Sequence, residues 1–146
     1  MSLQMENALP DGFTFEKAQN VMRGADRGIR LWIAPVEAEN QYQIQLYTDL
    51  EKSSDKNGFL EWLKTMHQDA DFIRRAEYNG SNLVSVYVES EGDADKENLT
   101  TAMHALVSRC EASGVHNCCA HCKSDGSLHA AAVDNAPLLL CDGCLS

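Results

Sequence analysis

Basic residues, prolines and long apolar runs are all scarce in this 146-residue sequence, and each scarcity excludes something. The apolar run Ala136 to Cys141 has six residues, against the ~20 that a membrane-spanning helix needs. Lys and Arg number 12 against 22 Asp and Glu, for a net charge of -10. Nucleic-acid binding draws its affinity from Lys and Arg that neutralise phosphates. No basic run supplies them here, so nucleic acid is not an expected partner. The short clusters Arg27/Arg30 and Arg74/Arg75 read as solvated faces. Catalytic signatures are missing too. There is no His-Glu-x-x-His, no Gly-x-Ser-x-Gly, no phosphate loop, and no His-x-Glu ahead of the cysteines in the deaminase manner. The carboxylates at Asp69, Asp71 and 91–95 read as charge clusters at helix ends and loops. An enzyme is therefore not expected.

What is present suits a soluble domain of modal size. The chain is 44% hydrophobic, enough for a core, and 23% charged. No basic leader with an apolar centre opens it. In "MSLQMENAL" a second Met stands at position 5, so Met1–Gln4 reads as a cloning leader.

Local patterns then give an order of elements. "FTFEKAQNVMRGADRG" reads as a short helix capped by Thr14, with Ala18, Val21 and Met22 on one face and Gly24 at its end. "GIRLWIAPV" gives a strand over Ile29 to Val36, followed by a turn at Glu37 to Asn40. In "QYQIQLYT", Tyr42, Ile44 and Leu46 alternate with Gln41, Gln43 and Gln45, the pattern of a half-buried antiparallel strand. Phe59, Leu63, Met66 and Ala70 recur at helical spacing, with Leu60 and Trp62 widening the stripe. "FIRRAEYNGSNLVSVYVES" reads as a hairpin. Its Asn79-Gly80 suits a type I′ turn, which needs positive φ at both central residues, and Val84, Val86 and Val88 share one side. A last helix carries Leu99, Met103, Leu106, Val107 and Cys110 on one stripe, with Asp93 or Asp95 as its cap and Gly114 past its end.

The expected fold class is thus α+β: a four-stranded antiparallel sheet from two hairpins, in the order α-ββ-α-ββ-α, with helices packed on it. Residues 1–12 read as leader or disordered, 13–114 as a binding domain and 115–146 as a cysteine-rich tail. Over 13–113 this order, with the stripe Phe59, Leu60, Trp62 and Leu63, resembles the type III secretion chaperone-like fold and the acidic bacterial regulators built on it. The resemblance implies a non-enzymatic domain that binds proteins, often as a homodimer.

Five of the six cysteines lie between Cys118 and Cys144. Cys119-Ala-His-Cys122 and Cys141-Asp-Gly-Cys144 are two Cys-x2-Cys pairs with 18 residues between them, the spacing of a four-cysteine zinc site. Two such turns facing each other can place four sulfurs tetrahedrally, at about 2.3 Å from Zn2+. The intervening segment can return the chain as a hairpin: Leu128 to Val133 out, a turn at Asp134-Asn135, and Leu138 to Leu140 back. Iron would fit the same sulfurs. A redox pair is the alternative for a single Cys-x2-Cys, and disulfides would need an oxidising compartment. Only Cys119 has the x2 spacing to Cys122, so Cys118 is the spare. Cys110 belongs to the core. His116, His121 and His129 are unnecessary as ligands beside four thiolates, and His67 and His104 read as helix-surface residues.

This tail resembles the zinc-ribbon-type knuckle pairs of uncharacterised bacterial proteins, some of which run on into membrane-spanning helices. Lys123 departs from that pattern, because many knuckles carry Gly after the second cysteine; the first knuckle is expected to be slightly irregular. The resemblance implies a chain that continues past Ser146 into an apolar anchor, with the domain on the cytoplasmic side. The function expected is protein binding or regulation by a domain with a structural zinc site. A thiol or metal sensor that releases zinc on oxidation is the second reading.

Overall fold

The computed structural model describes residues 5–134 and 136–145. A 3-10 turn at Met5–Ala8 leads into strands β1 (Phe13–Glu16), β2 (Val21–Asp26), β3 (Ile29–Val36) and β4 (Gln41–Tyr47). Helix α1 (Lys56–Thr65), strands β5 (Ile73–Tyr78) and β6 (Leu83–Glu89) and helix α2 (Asp95–Ser113) follow. The chain ends in strands β7 (Leu128–Val133) and β8 (Ala136–Cys141) and a single turn, α3 (Asp142–Leu145). The fold is α+β, with one six-stranded antiparallel sheet in the order β1-β2-β3-β4-β6-β5 and a separate two-stranded sheet, β7-β8.

Six strands replace the expected four because the expected first helix is a hairpin. Val21 and Met22, which a helix would hold on one face, point to opposite faces of the sheet and join different clusters. Ala18 is exposed in the connecting turn. Gly24 does not end a helix. It lies within β2 opposite Phe13, whose ring covers it closely enough that a Cβ there would come within 2.6 Å. The sequence 16–20 favours a helix locally, but only pairing with the free edge of β3 buries apolar residues on both sides. Tertiary context overrides a weak local propensity. Part of the segment expected to be leader or disordered is packed: Met5 and Ala8 are buried in the main core.

Alternation sets the first face. Tyr42, Ile44 and Leu46 of β4 and Val84, Val86 and Val88 of β6 are fully buried, and the register places Ile44 opposite both Ile33 and Val86. The stripes of α1 (Phe59, Leu63) and α2 (Leu99, Leu106, Cys110) close over them. Gly114 takes φ +64 and ends α2. The Asn79-Gly80 hairpin forms, but its loop spans four residues. The Asn79 side-chain oxygen accepts from the N–H groups of Ser81, Asn82 and Leu83, and of the central pair only Gly80 has positive φ. The two-residue turn with positive φ at both positions is instead Arg27-Gly28, between the paired Asp26 and Ile29. Arg27 also reaches α2, through Glu111 at 2.8 Å, Ser108 and the His104 carbonyl. It is a clasp between turn and helix, where a solvated charge was expected.

The start of α2 differs as well. Ala94 occupies the capping position, without a side-chain bond. Asp95, 5% exposed, accepts from the Ser90 hydroxyl and the Glu91 N–H, both at 2.6 Å. Removing this buried acceptor strands two donors, which costs about 1–3 kcal/mol. Asp95→Ala should therefore lower the urea midpoint without changing its slope. An unchanged midpoint would show that water replaces the carboxylate.

The second face of the sheet is what the tail covers. Trp32 and Tyr47 stand edge to face, 5.7 Å apart, and pack with Val21 and Leu139 of β8. The Tyr47 hydroxyl donates to the Pro137 carbonyl at 2.9 Å. Asn117 holds the connection: its oxygen accepts from Arg30 N–H at 2.8 Å and its amide donates to the Arg30 and Tyr47 carbonyls. The tail is thus part of the packed structure. No helix among the described residues is long and apolar enough to cross a membrane.

Candidate metal centre

The four expected cysteines converge. The sulfurs of Cys119, Cys122, Cys141 and Cys144 all lie within 4.8 Å of one another. Tetrahedral coordination at about 2.3 Å puts neighbouring sulfurs ~3.8 Å apart, so the cluster has the size of a four-thiolate site. The Cys122 and Cys141 sulfurs are 3.5 Å apart, well beyond the ~2.0 Å of a disulfide, and all six cysteines are free thiols.

Three pieces of chain deliver these sulfurs. Cys119 and Cys122 sit on the turn after α2. Lys123 N–H donates to the Cys119 carbonyl at 3.0 Å, and Cys119 N–H donates to the Ser124 carbonyl at 2.7 Å. Lys123 adopts φ +65, the left-handed conformation usual for Gly. Lys52 then anchors the turn by donating to the Lys123 carbonyl at 2.7 Å. Cys141 is the last residue of β8, and Cys144 follows in the first turn of α3. The two knuckles are tied directly, since Ala120 N–H donates to the Leu139 carbonyl at 2.7 Å. Asn82, in the β5–β6 loop, donates to the Ala120 carbonyl at 2.7 Å. The hairpin register Leu128↔Cys141 to Val133↔Ala136 is the return path read from the sequence, with Asn135 of its turn outside the described residues.

The local electrostatics match a cation site. Burial opposes ionisation of Cys119, yet backbone N–H groups of Cys122, Cys141 and His121 outweigh it and hold the thiol down to about 6. Cys144 is pushed up to about 12 by its contacts with the Cys122, Cys119 and Cys141 sulfurs. Crowded thiols cannot all ionise without a positive charge between them, and a bound divalent metal supplies that charge.

The remaining candidates fall elsewhere. Cys118 is buried and is not among the four converging sulfurs; burial first, then Asp49, pushes its thiol up to about 11. Cys110 lies in the main core, where burial pushes its thiol up to about 12. His121 is exposed on the knuckle, His116 offers its carbonyl to the Thr48 hydroxyl, and His67 and His104 are on the surface. Asp69, Asp71 and Asp93 are exposed. Sequence reasoning set His129 aside as a ligand and missed its tie to Asp142, whose Oδ1 lies 2.5 Å from His129 Nε2 in the second knuckle. It also missed Asn117 and Asn82, because a single Asn in a loop has no pattern to mark it. No protein-family model, curated protein or solved structure matches the chain.

Proposed function

We propose that this chain is a non-enzymatic, protein-binding or regulatory domain in which a structural Zn2+, held by Cys119, Cys122, Cys141 and Cys144, pins a β-hairpin onto the second face of the sheet. The convergence of four sulfurs within 4.8 Å carries this reading. A catalytic zinc keeps a position open for water, whereas four thiolates close the coordination sphere. The sequence carries none of the common catalytic motifs, which supports a binding or regulatory role. Thiolate ligands also suit a reducing compartment such as the cytoplasm.

Metal analysis of protein purified without chelators should give close to one zinc per chain, and Cys144→Ser should lose most of it. Protein that contains neither zinc nor iron and forms disulfides in reducing buffer would refute the site. Iron at the same stoichiometry would change only the metal.

One observation favours a thiol sensor as a second reading: Cys122 is exposed, so peroxide can reach a ligand sulfur. Its oxidation with a neighbouring thiolate to a disulfide, with peroxide reduced to water, would release the metal. Zinc release at micromolar peroxide would select the sensor, and retention at millimolar peroxide the structural site.

A further inference from the structure

Among the described residues, four strands have an unpaired edge, and three of those edges are protected. β1 has only four residues. β5 carries Arg74, Arg75 and Glu77 and breaks register between Ile73 and Arg75. β8 contains Pro137. Charges, prolines, bulges and short length are the usual devices that stop an edge from pairing with another chain. β7, Leu-His-Ala-Ala-Ala-Val, has none of them across six residues. Among the described residues it pairs only with β8, and no loop or side chain donates to its backbone.

The bare edge lines a groove. Between β7 and the β1–β2–β3 part of the second face run two adjoining depressions of about 380 and 320 Å³ that share Arg23, Trp32 and Ala130. Ala130, Ala131 and Ala132 all line the second. Side chains of consecutive strand residues point to opposite faces, so three in succession mean that the groove meets the strand edge-on. Methyl side chains leave that backbone accessible. The first depression is lined by Arg23 and Arg30 with no carboxylate among its residues, in a protein of net charge -10. Arg23 is paired with Glu16 at 3.0 Å. The Arg30 guanidinium has no partner among the described residues. Val133, one of two large apolar residues left exposed among those described (43%), extends the edge.

We infer that β7 is a docking edge for an extended, acidic segment of a partner protein, which adds a third strand to the β7–β8 sheet and sets its carboxylates against Arg30 and Arg23. Main-chain hydrogen bonds to the edge give affinity, and the side chains facing the groove give selectivity. This rests on the protein-binding part of the proposed function and is independent of which metal fills the four-cysteine site.

The test uses the full zinc-loaded chain and a nine-residue acetylated peptide of alternating sequence, Thr-Val-Glu-Val-Thr-Val-Glu-Val-Thr. In amide-resolved NMR titration, shifts should concentrate at 130–132 and at the Trp32 indole, with slowed amide exchange along β7. Arg30→Glu should weaken binding by roughly fivefold or more, the scale of a lost ion pair followed by repulsion. A peptide N-methylated on alternate residues should not bind, because it keeps the side chains and loses the ladder donors. No binding at millimolar peptide, equal binding of the peptide with Lys for Glu, or shifts at β5 or the helices would each overturn the inference. Concentration-dependent dimers with protection along β7 would overturn it in favour of self-pairing. A captured partner whose cross-links map to α1 or β5 would likewise overturn the docking edge while leaving the protein-binding reading intact.

Discussion

Removing the metal should uncover the second face of the sheet and leave the first closed. A chelator strong enough to strip zinc, or Cys141→Ser, is expected to shift Trp32 emission to the red and to produce dye-binding apolar surface. The helical ellipticity from α1 and α2 should change little. The reason is a difference in scale. A two-stranded hairpin is marginal by itself. Only Leu139 of β8 joins the buried Trp32–Tyr47 cluster, with Leu138 and Leu128 partly buried against it, and each such side chain contributes about 1.5–3 kcal/mol at most. Structural zinc contributes on the order of 10 kcal/mol to folding a small ligand segment at neutral pH, so a zinc bound by the four cysteines would dominate the docking of the hairpin. The first core has no such dependence: Phe59, Leu99 and Leu106 are fully buried in a cluster that contains none of the four converging cysteines. Trp62 packs in that core, so the measurement belongs in a Trp62→Phe background. The Asn117 and Thr48 contacts should hold the chain near 116–118 in place. Unchanged Trp32 emission after complete zinc loss would show that packing alone keeps the hairpin down. Collapse of the helical signal would show that the two faces fold as one unit.

Phe59→Ala should have the opposite signature. Phe59 has no exposure, and its ring lies 5.8 Å from that of Trp62. Truncating a buried Phe costs about 3–5 kcal/mol through lost transfer energy and the cavity left behind. That is a large part of the 5–15 kcal/mol typical of a whole domain. Urea unfolding of the zinc-loaded protein should show the loss. Zinc content of the folded fraction should stay near one per chain, because none of the four cysteines belongs to the core cluster that holds Phe59. A cost below about 1 kcal/mol, on the scale of simple large-to-small core changes, would mean that the site collapses around the missing ring. Zinc lost in step with stability would mean that the metal site depends on the α1 face.

What the sequence determined by itself was whatever repeats at a short, fixed interval. The alternation of Tyr42, Ile44 and Leu46 makes β4, because side chains of a strand take opposite faces in turn. The stripe of Leu99, Met103, Leu106 and Cys110 makes one face of α2 for the equivalent helical reason. The two Cys-x2-Cys pairs and the hairpin between them specify a four-sulfur cluster, because two knuckles and a return path are nearly sufficient to bring it together. Tertiary structure alone decided the rest. Val21 and Met22 part company because β3 offers a free edge, which no window of local sequence contains. Asn79-Gly80 became part of a four-residue loop, capped by the Asn79 side chain, while the tight turn formed at Arg27-Gly28. Trp32 and Tyr47 carry no sign in the sequence that a segment some 90 residues later will cover them. A strand's own pattern says which residues want burial; it does not say what buries them. That depends on contacts between distant parts of the chain, such as the Tyr47 hydroxyl on the Pro137 carbonyl.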